Sequence, residues 1–202
     1  MNHPLRCKCG TLRGHVSEPH KAIHLVCYCK DCQAFANFLG KGDEILDQNG
    51  GSDIVAVHPQ AVHFTQGQAS LACMSLSPKG LLRWYASCCN TPIGNTSRDM
   101  RMAYAGLAHA CLADGTTSLD SAFGPVRMRA VTKSAKGRVT ATPALAVAGT
   151  LALFAGKLLR ARLSGSYRRT PFFHPEQGTP VVAPKVLGKQ ERARLTPSHP
   201  AR

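Results

Sequence analysis

Seven of the nine cysteines fall into three short groups, and their spacing is typical of metal ligands. Thiolates two or three residues apart on a turn can converge on one ion at about 2.3 Å. Zn²⁺ is the ion expected for a tetrahedron of soft sulfur ligands, whereas apolar filler explains three thiols within six residues poorly. The sequence therefore predicts zinc binding, with these candidate ligands: Cys7, Cys9, Cys27, Cys29, Cys32, Cys88 and Cys89.

The other two cysteines, Cys73 and Cys111, are interpreted as small buried apolar residues, since Cys73 lies within a predicted strand. The N-terminal residues contain no apolar run after a basic stretch, so they do not resemble a secretory signal peptide. We therefore expect a cytoplasmic location. In that reducing compartment clustered cysteines are metal ligands more often than disulfides.

The elements that must position these thiols are short alternating segments separated by turn signals, which favours a mainly β domain. Residues 49–51, 66–68 and 77–80 carry the turn signals. No alternation of strands with helices and no Gly-rich phosphate loop is apparent. The predicted strands cover residues 12–16, 22–27, 53–57, 61–65, 70–76 and 81–85.

Basic residues are concentrated in the last third of the chain. Residues 1–132 hold 12 Lys and Arg against 9 Asp and Glu, whereas residues 133–202 hold 13 against 2. We therefore predict a β domain over residues 1–132, followed by a linker, a helix and an extended basic, proline-containing tail over 133–202. Nucleic acid is an unlikely partner, because the tail has few aromatics and no zinc-finger spacing. A solvated extension is the simpler interpretation.

The predicted helix covers residues 143–163, with Val147, Leu151, Phe154 and Leu158 on one face. Its uncharged stretch, residues 141–156, has 16 residues, and a membrane span needs about 20. We therefore predict a helix that docks on the domain or on a partner. Membrane contact is the less favoured alternative.

The order of the cysteine motifs resembles that of the glutathione-dependent formaldehyde-activating family, which includes centromere protein V. The matching stretches are residues 6–10 (Arg-Cys-Lys-Cys-Gly), 27–33 (Cys-Tyr-Cys-Lys-Asp-Cys-Gln) and 89–93 (Cys-Asn-Thr-Pro-Ile). The resemblance implies a twisted antiparallel β domain of the Mss4-like type with two zinc ions. It also implies that Cys7 and Cys9 join the late cysteines in a structural site, while Cys27, Cys29 and Cys32 hold a zinc near which a glutathione adduct reacts.

The late motif departs from the family pattern at two positions. The family carries C-x-x-C-G-T-P, but here Ala86 stands where the first cysteine belongs and Asn90 replaces the glycine. Cys88 is the available substitute for the missing thiol. Neighbouring residues of an extended strand point to opposite faces, so joint ligation by Cys88 and Cys89 needs a local bend, which Asn90 tolerates.

A three-thiolate zinc keeps one position open and is suited to binding an incoming thiol as thiolate. This chemistry indicates a carbon–sulfur lyase that acts on a thiol adduct of a small aldehyde, with glutathione as the implied thiol. Two alternatives remain: a non-catalytic zinc-stabilised module that binds through its basic C-terminal segment, and a redox or metal-storage protein. The groups considered for proton transfer are Asp31, His24, His58 and His63. Lys30 and Arg83 are considered for carboxylate binding, but we predict that both are solvated surface charges.

Overall fold

The computed structural model describes residues 2–112 and 118–197. Within these ranges 11 strands form two sheets, which confirms the prediction of a mainly β fold. The strands are β1 (Asn2–Arg6), β2 (Arg13–Ser17), β3 (Ile23–Cys27), β4 (Ser52–Val57), β5 (Val62–Gln66), β6 (Leu71–Ser75), β7 (Leu82–Ala86), β8 (Thr91–Thr96), β9 (Ala105–Ala108), β10 (Met128–Ala130) and β11 (Lys185–Val186).

The six strands predicted from alternation all form, as β2 to β7, with ends that differ by at most one residue from the prediction. Strands β1, β2 and β5 make a three-stranded sheet. The other eight make the large sheet, in the order β10-β3-β4-β9-β8-β7-β6-β11.

The family resemblance implied an antiparallel domain, but the large sheet is mixed. Its two edge strands pair in parallel, β10 with β3 and β11 with β6. Both edge strands come from the chain that follows β9, and this later segment covers the edges that the earlier strands leave open.

The main core lies between one face of the large sheet and the three-stranded sheet. Strand alternation sends Trp84, Leu107 and Val55 to this face, where each is fully buried. Phe172 and Phe173 enter the same core from the chain beyond residue 170 and pack against Trp84. The segment predicted to be a solvated tail is therefore partly core.

Five α-helices accompany the sheets in the described part of the chain. The first begins directly after Cys29 and includes Cys32, and the fourth covers the predicted helix almost residue for residue. The helices are α1 (Lys30–Phe38), α2 (Gly42–Ile45), α3 (Leu119–Phe123), α4 (Ala144–Leu163) and α5 (Lys189–Leu195).

Helix α4 docks by one side only. Phe154 packs edge-on against Tyr104, and Thr150 and Ala161 are buried. Leu151, expected on the docked face, is 52% exposed, because the contact surface is centred on Phe154 and Ala161 instead. Among the described residues α4 is the one helix long and apolar enough to cross a membrane by length and composition, and most of it is exposed.

Candidate metal centres

The first thiol group consists of Cys7, Cys9, Cys88 and Cys89, and it joins the turn after β1 to the segment after β7. Cys7 lies in the tight turn after β1, where its N–H donates to the carbonyl of Leu12 at 2.9 Å. Cys88 and Cys89 follow β7. Asn90 adopts a left-handed backbone with φ of 54°, which provides the bend that two adjacent thiols need to reach one point.

The sulfur atoms of this group are spaced as a tetrahedral zinc site requires. Cys9 Sγ lies 3.5 Å from Cys7 Sγ and 3.4 Å from Cys88 Sγ, and Cys88 Sγ lies 3.8 Å from Cys89 Sγ. Four sulfurs at about 2.3 Å from zinc lie about 3.8 Å apart. All four sulfurs lie within 4.8 Å of one another, so Cys7, Cys9, Cys88 and Cys89 could hold one metal ion.

Nearby hydroxyl groups favour the thiolate form of two of these cysteines. Hydrogen bonds with the side chain and backbone of Thr11 lower the pKa of Cys9 to about 6. Burial acts to raise the pKa of Cys89, but the Thr91 hydroxyl, 3.1 Å from its sulfur, helps to bring that pKa below its usual value. Thr91 Oγ1 also accepts the N–H of Lys8 at 2.9 Å, so it ties the two halves of the group together.

The second thiol group forms where β3 gives way to α1. Cys27 is the last residue of β3, Cys29 is the N-cap of α1, and Cys32 lies in the first helical turn. Cys29 Sγ accepts the N–H of Cys32 at 3.3 Å and lies 3.2 Å from its sulfur. The amide groups and dipole of a helix N-terminus stabilise thiolates, so α1 itself favours metal ligation here.

The three sulfurs lie within 4.8 Å of one another, and no fourth Cys, His, Asp or Glu of the described chain joins them. Hydrogen bonds with Cys29 and Cys32, together with burial, raise the pKa of Cys27. Hydrogen bonds with Cys27 and Cys29, aided by Arg83, lower the pKa of Cys32 well below its usual value. The group could hold one metal ion with three sulfur ligands.

Arg83 is a buried cation beside this second group. It is only 4% exposed, and its Nη1 donates to Cys32 Sγ at 3.9 Å while its guanidinium lies over the Phe35 ring. It forms no ion pair with a carboxylate among the described residues. The prediction of a solvated surface charge is therefore wrong, because α1 covers this part of strand β7 and brings the thiols to the arginine.

The groups considered for proton transfer lie elsewhere or are already engaged. His24 is buried between Asp53 and the α3 region, and Asp31 pairs with Arg192 at 3.1 Å. His58 and His63 line a cavity beside α4. None of the four belongs to the three-thiol group.

Tyr104 is a polar group near the second centre that the sequence did not reveal. Its hydroxyl donates to Asn95 Oδ1 at 3.3 Å, and burial raises its pKa to about 12. The positive charge of Arg83 acts to lower that pKa, and the charges of Cys32 and Cys27 act to raise it. Asn95 pairs with Arg83 across β8 and β7, on the sheet face that α1 covers.

All nine cysteines lie among the described residues, and all are free thiols. Cys73 and Cys111 are 3% and 1% exposed within the main core, which confirms their predicted burial. Burial raises the pKa of both to about 12. Only the seven grouped cysteines are therefore candidates for metal binding.

Residues 1–183 match DUF6151, a family of unknown function. The chain belongs to this family. The DUF6151 match includes both thiol groups, α4 and the core residues Phe172 and Phe173, and it runs through the domain boundary predicted at residue 132. No curated protein and no solved structure matches the chain.

Proposed function

We propose that this DUF6151 protein binds two zinc ions, one in a closed structural site and one in a site that accepts a small thiol. The unequal number of thiols carries the proposal. The first group offers four sulfurs to one ion, whereas the second offers three. A closed tetrahedral site is typical of structural zinc, and a site with three protein ligands leaves one position for an exogenous ligand.

The second site favours sulfur chemistry over water activation. Zinc bound by three thiolates is a soft Lewis acid and stabilises an added sulfur in its thiolate form. Arg83 supplies a positive charge beside Cys32, which limits the net charge of the site to −1 when a fourth thiolate joins Zn²⁺ and three cysteine thiolates. Tyr104 and Asn95 offer a hydroxyl and a carboxamide close to the same place, and they are suited to holding the oxygen of a small adduct.

The reaction that fits is the reversible cleavage of a hydroxymethyl thioether, RS–CH₂–OH, into RSH and formaldehyde. The C–S bond breaks, the hydroxyl proton leaves oxygen, and sulfur gains a proton. Glutathione is the thiol proposed from the motif resemblance, and Lys30, the first residue of α1, is a possible contact for one of its carboxylates. The same resemblance is our ground for proposing an Mss4-like fold.

The test is a calorimetric titration of reduced glutathione into zinc-loaded protein, alongside the Cys29→Ser and Cys73→Ala variants. We expect saturable 1:1 binding in the wild type and Cys73→Ala, and none in Cys29→Ser. The zinc content of Cys29→Ser shows whether binding is lost because the second site has lost its zinc ion or because the site still holds zinc but is altered. If millimolar glutathione does not bind to protein that carries two zinc ions, the thiol-binding proposal is wrong.

Formaldehyde turnover then tests the lyase assignment. Nuclear magnetic resonance exchange spectroscopy reports the rate at which the hydroxymethyl adduct of glutathione forms and breaks. We expect zinc-loaded protein to accelerate this exchange, and Tyr104→Phe to slow it while glutathione still binds. If glutathione binds but the exchange is not accelerated, the protein is a thiol-binding protein and the lyase assignment is wrong.

A non-catalytic module is the second candidate function, and the outer side of α4 supports it. Leu145 and Leu163 are 86% and 80% exposed, and Leu159 is 59% exposed. Arg162 lies beside them, and the chain carries a formal net charge of +14. An exposed apolar helix face flanked by basic residues is suited to the surface of an anionic membrane.

Vesicle co-sedimentation tests this second candidate. We expect binding to vesicles that contain phosphatidylglycerol and little binding to pure phosphatidylcholine. The Leu159→Gln/Leu163→Gln variant should bind several-fold more weakly, whereas Leu81→Gln, which alters an exposed leucine outside α4, should bind as the wild type does. Equal binding by all three proteins would eliminate α4 as the membrane contact.

A further inference from the structure

A cavity of about 780 Å³ lies between α4 and the neighbouring part of the β domain. Its size is within the range of small-molecule sites, about 300–1,000 Å³. The residues around it come from β3, β4, the turn that follows β4, and α4. The cavity contains none of the grouped cysteines, so zinc chemistry does not account for it.

Apolar side chains form much of the cavity wall. Ile23 and Val57 contribute from the sheet, and Phe154, Leu158 and Ala161 contribute from α4. Helix α4 docks by this face, yet the space between helix and sheet is not filled by side chains. The cavity is partly open to solvent, and apolar surface left uncovered in such a cleft is suited to an apolar guest.

Basic side chains surround the same cavity. Lys157, Arg160 and Arg169 line it together with Lys21, and among the described residues only Lys21 of these four has a carboxylate partner, Glu18. Neither Arg160 nor Arg169 forms an ion pair among the described residues. Burial and the charges of Arg127 and Lys21 lower the pKa of Lys157, as expected where positive charge is unbalanced. An anionic group would balance this charge.

The polar corner of the cavity is built for binding and does not activate a nucleophile. His58 Nδ1 accepts the backbone N–H of Gln60 at 3.1 Å, so Nε2 carries the proton and donates to Ser166 Oγ at 3.2 Å. Burial and the charge of Arg169 lower the pKa of His58, which keeps the ring neutral. A histidine that donates to a serine cannot remove its proton, so Ser166 is not activated for hydrolysis.

We propose that this cavity binds one amphipathic organic anion, with an alkyl chain against Phe154 and Leu158 and an anionic head at Arg160 and Arg169. The ligand class is a monoanion with a medium or long hydrocarbon chain. Such a molecule satisfies both the apolar wall and the unpaired cations, whereas a small inorganic anion satisfies only the second. The site contains none of the grouped thiols, although Tyr104, which we assign to the reaction at the three-thiol site, also lines it.

Dodecanoate below its micelle concentration is the probe, measured by calorimetry on zinc-loaded, full-length protein. We expect 1:1 binding, weaker binding of the neutral analogue dodecanol, and none of acetate. The Arg160→Gln/Arg169→Gln variant should bind dodecanoate at least tenfold more weakly. The Arg162→Gln/Arg168→Gln variant removes the same charge from residues outside the cavity lining and should change affinity less than twofold.

A second arm separates a free anion from a membrane lipid. If the cavity takes a free anion, dodecanoate binds 1:1 without vesicles, and saturating dodecanoate leaves vesicle binding unchanged. If it takes a lipid from a bilayer, dodecanoate competes with phosphatidylglycerol vesicles, and only Arg160→Gln/Arg169→Gln resists the competition. No 1:1 binding, or equal losses in both double variants, would overturn the proposal.

Discussion

The two thiol groups of this protein differ in their surroundings as much as in their number of sulfurs. The four-thiol group lies at the surface, where Cys9 and Cys88 are exposed, and its neighbours are neutral hydroxyl and amide groups. The three-thiol group lies between a strand and a helix, with the buried cation Arg83 beside it. Water therefore reaches the exposed thiols of the first group directly, whereas in the second group Cys32 is buried and Cys27 and Cys29 are only partly exposed.

Formal charge explains this difference. Four thiolates and Zn²⁺ carry a net charge of −2, which is tolerated where water reaches the site. Three thiolates and Zn²⁺ carry −1, and burial of an isolated charge costs several kcal/mol. Arg83 brings the total to zero. The comparison assigns a stabilising role to the four-thiol group and an exchangeable ligand position to the three-thiol group.

The largest expected effect follows from removal of one ligand of the four-thiol group. Cys7→Ser should release one of two zinc ions and lower the free energy of unfolding by about 5 kcal/mol, which lowers the unfolding midpoint by roughly 10–20 °C. Zinc content and thermal unfolding measure this. Cys111→Ala, at a buried thiol outside both groups, should keep both ions and lose only about 1 kcal/mol. Equal zinc loss from Cys29→Ser and Cys7→Ser, with equal destabilisation, would remove the distinction between the groups.

The next effect concerns His24, a buried histidine on the opposite sheet face from Arg83. Its Nε2 lies 2.6 Å from Asp53 Oδ1, and this hydrogen bond is the main reason that its pKa is raised. A pKa raised by folding stabilises the protein fully below the unfolded value near 6.5, and this contribution disappears as pH rises through the folded pKa. His24→Gln should therefore cost about 2 kcal/mol at pH 6 and clearly less at pH 9.

Urea unfolding of zinc-loaded wild type and His24→Gln at each pH gives this difference. Zinc affinity also changes with pH, because thiol ligands lose protons as they bind. Both proteins share the same thiols, so that change cancels in the comparison. A cost that grows from pH 6 to pH 9 would mean that His24 is neutral in the folded protein.

Arg83 provides a more direct test of the charge argument. Arg83→Met keeps an apolar contact with Phe35 but removes the cation, and groups of this kind affect metal affinity by about 10- to 100-fold. We expect weaker zinc binding at the three-thiol site alone and near-normal binding in Arg83→Lys. Competition with a chromophoric chelator resolves the two release steps. Parallel weakening of both steps would indicate general destabilisation instead.

The surroundings of the four-thiol group could be predicted from the sequence more completely than those of the three-thiol group. Alternation located β2 to β7, and the left-handed tolerance of Asn90 correctly indicated how Cys88 and Cys89 could turn toward one point. These are local properties of short segments. The sequence left Arg83 as a surface charge, because its burial depends on α1, which contacts β7 only in the folded chain.

Two of the elements that escaped prediction, α1 and β8, did so for identifiable reasons. Five consecutive residues of α1, from Cys32 to Ala36, are buried, so the apolar pattern shows no 3.6-residue period. Strand β8 reads Thr-Pro-Ile-Gly-Asn-Thr, which contains three residue types that usually interrupt strands. Both elements are buried by neighbours distant in the chain, and their own residues do not reveal this.

The smallest expected effect concerns Thr91, which contacts a sulfur of the four-thiol group as Arg83 contacts a sulfur of the three-thiol group. Its hydroxyl accepts the Lys8 N–H and contacts Cys89 Sγ, and the residue is 3% exposed. Thr91→Val keeps the shape and removes both hydrogen bonds, at a cost of about 1–2 kcal/mol in unfolding free energy. Zinc content should remain at two ions, because four sulfurs still surround the first ion. A neutral hydroxyl that adjusts a closed site should thus matter less to zinc binding than a cation that balances an open one. Loss of zinc from Thr91→Val but not from Arg83→Met would reverse that order.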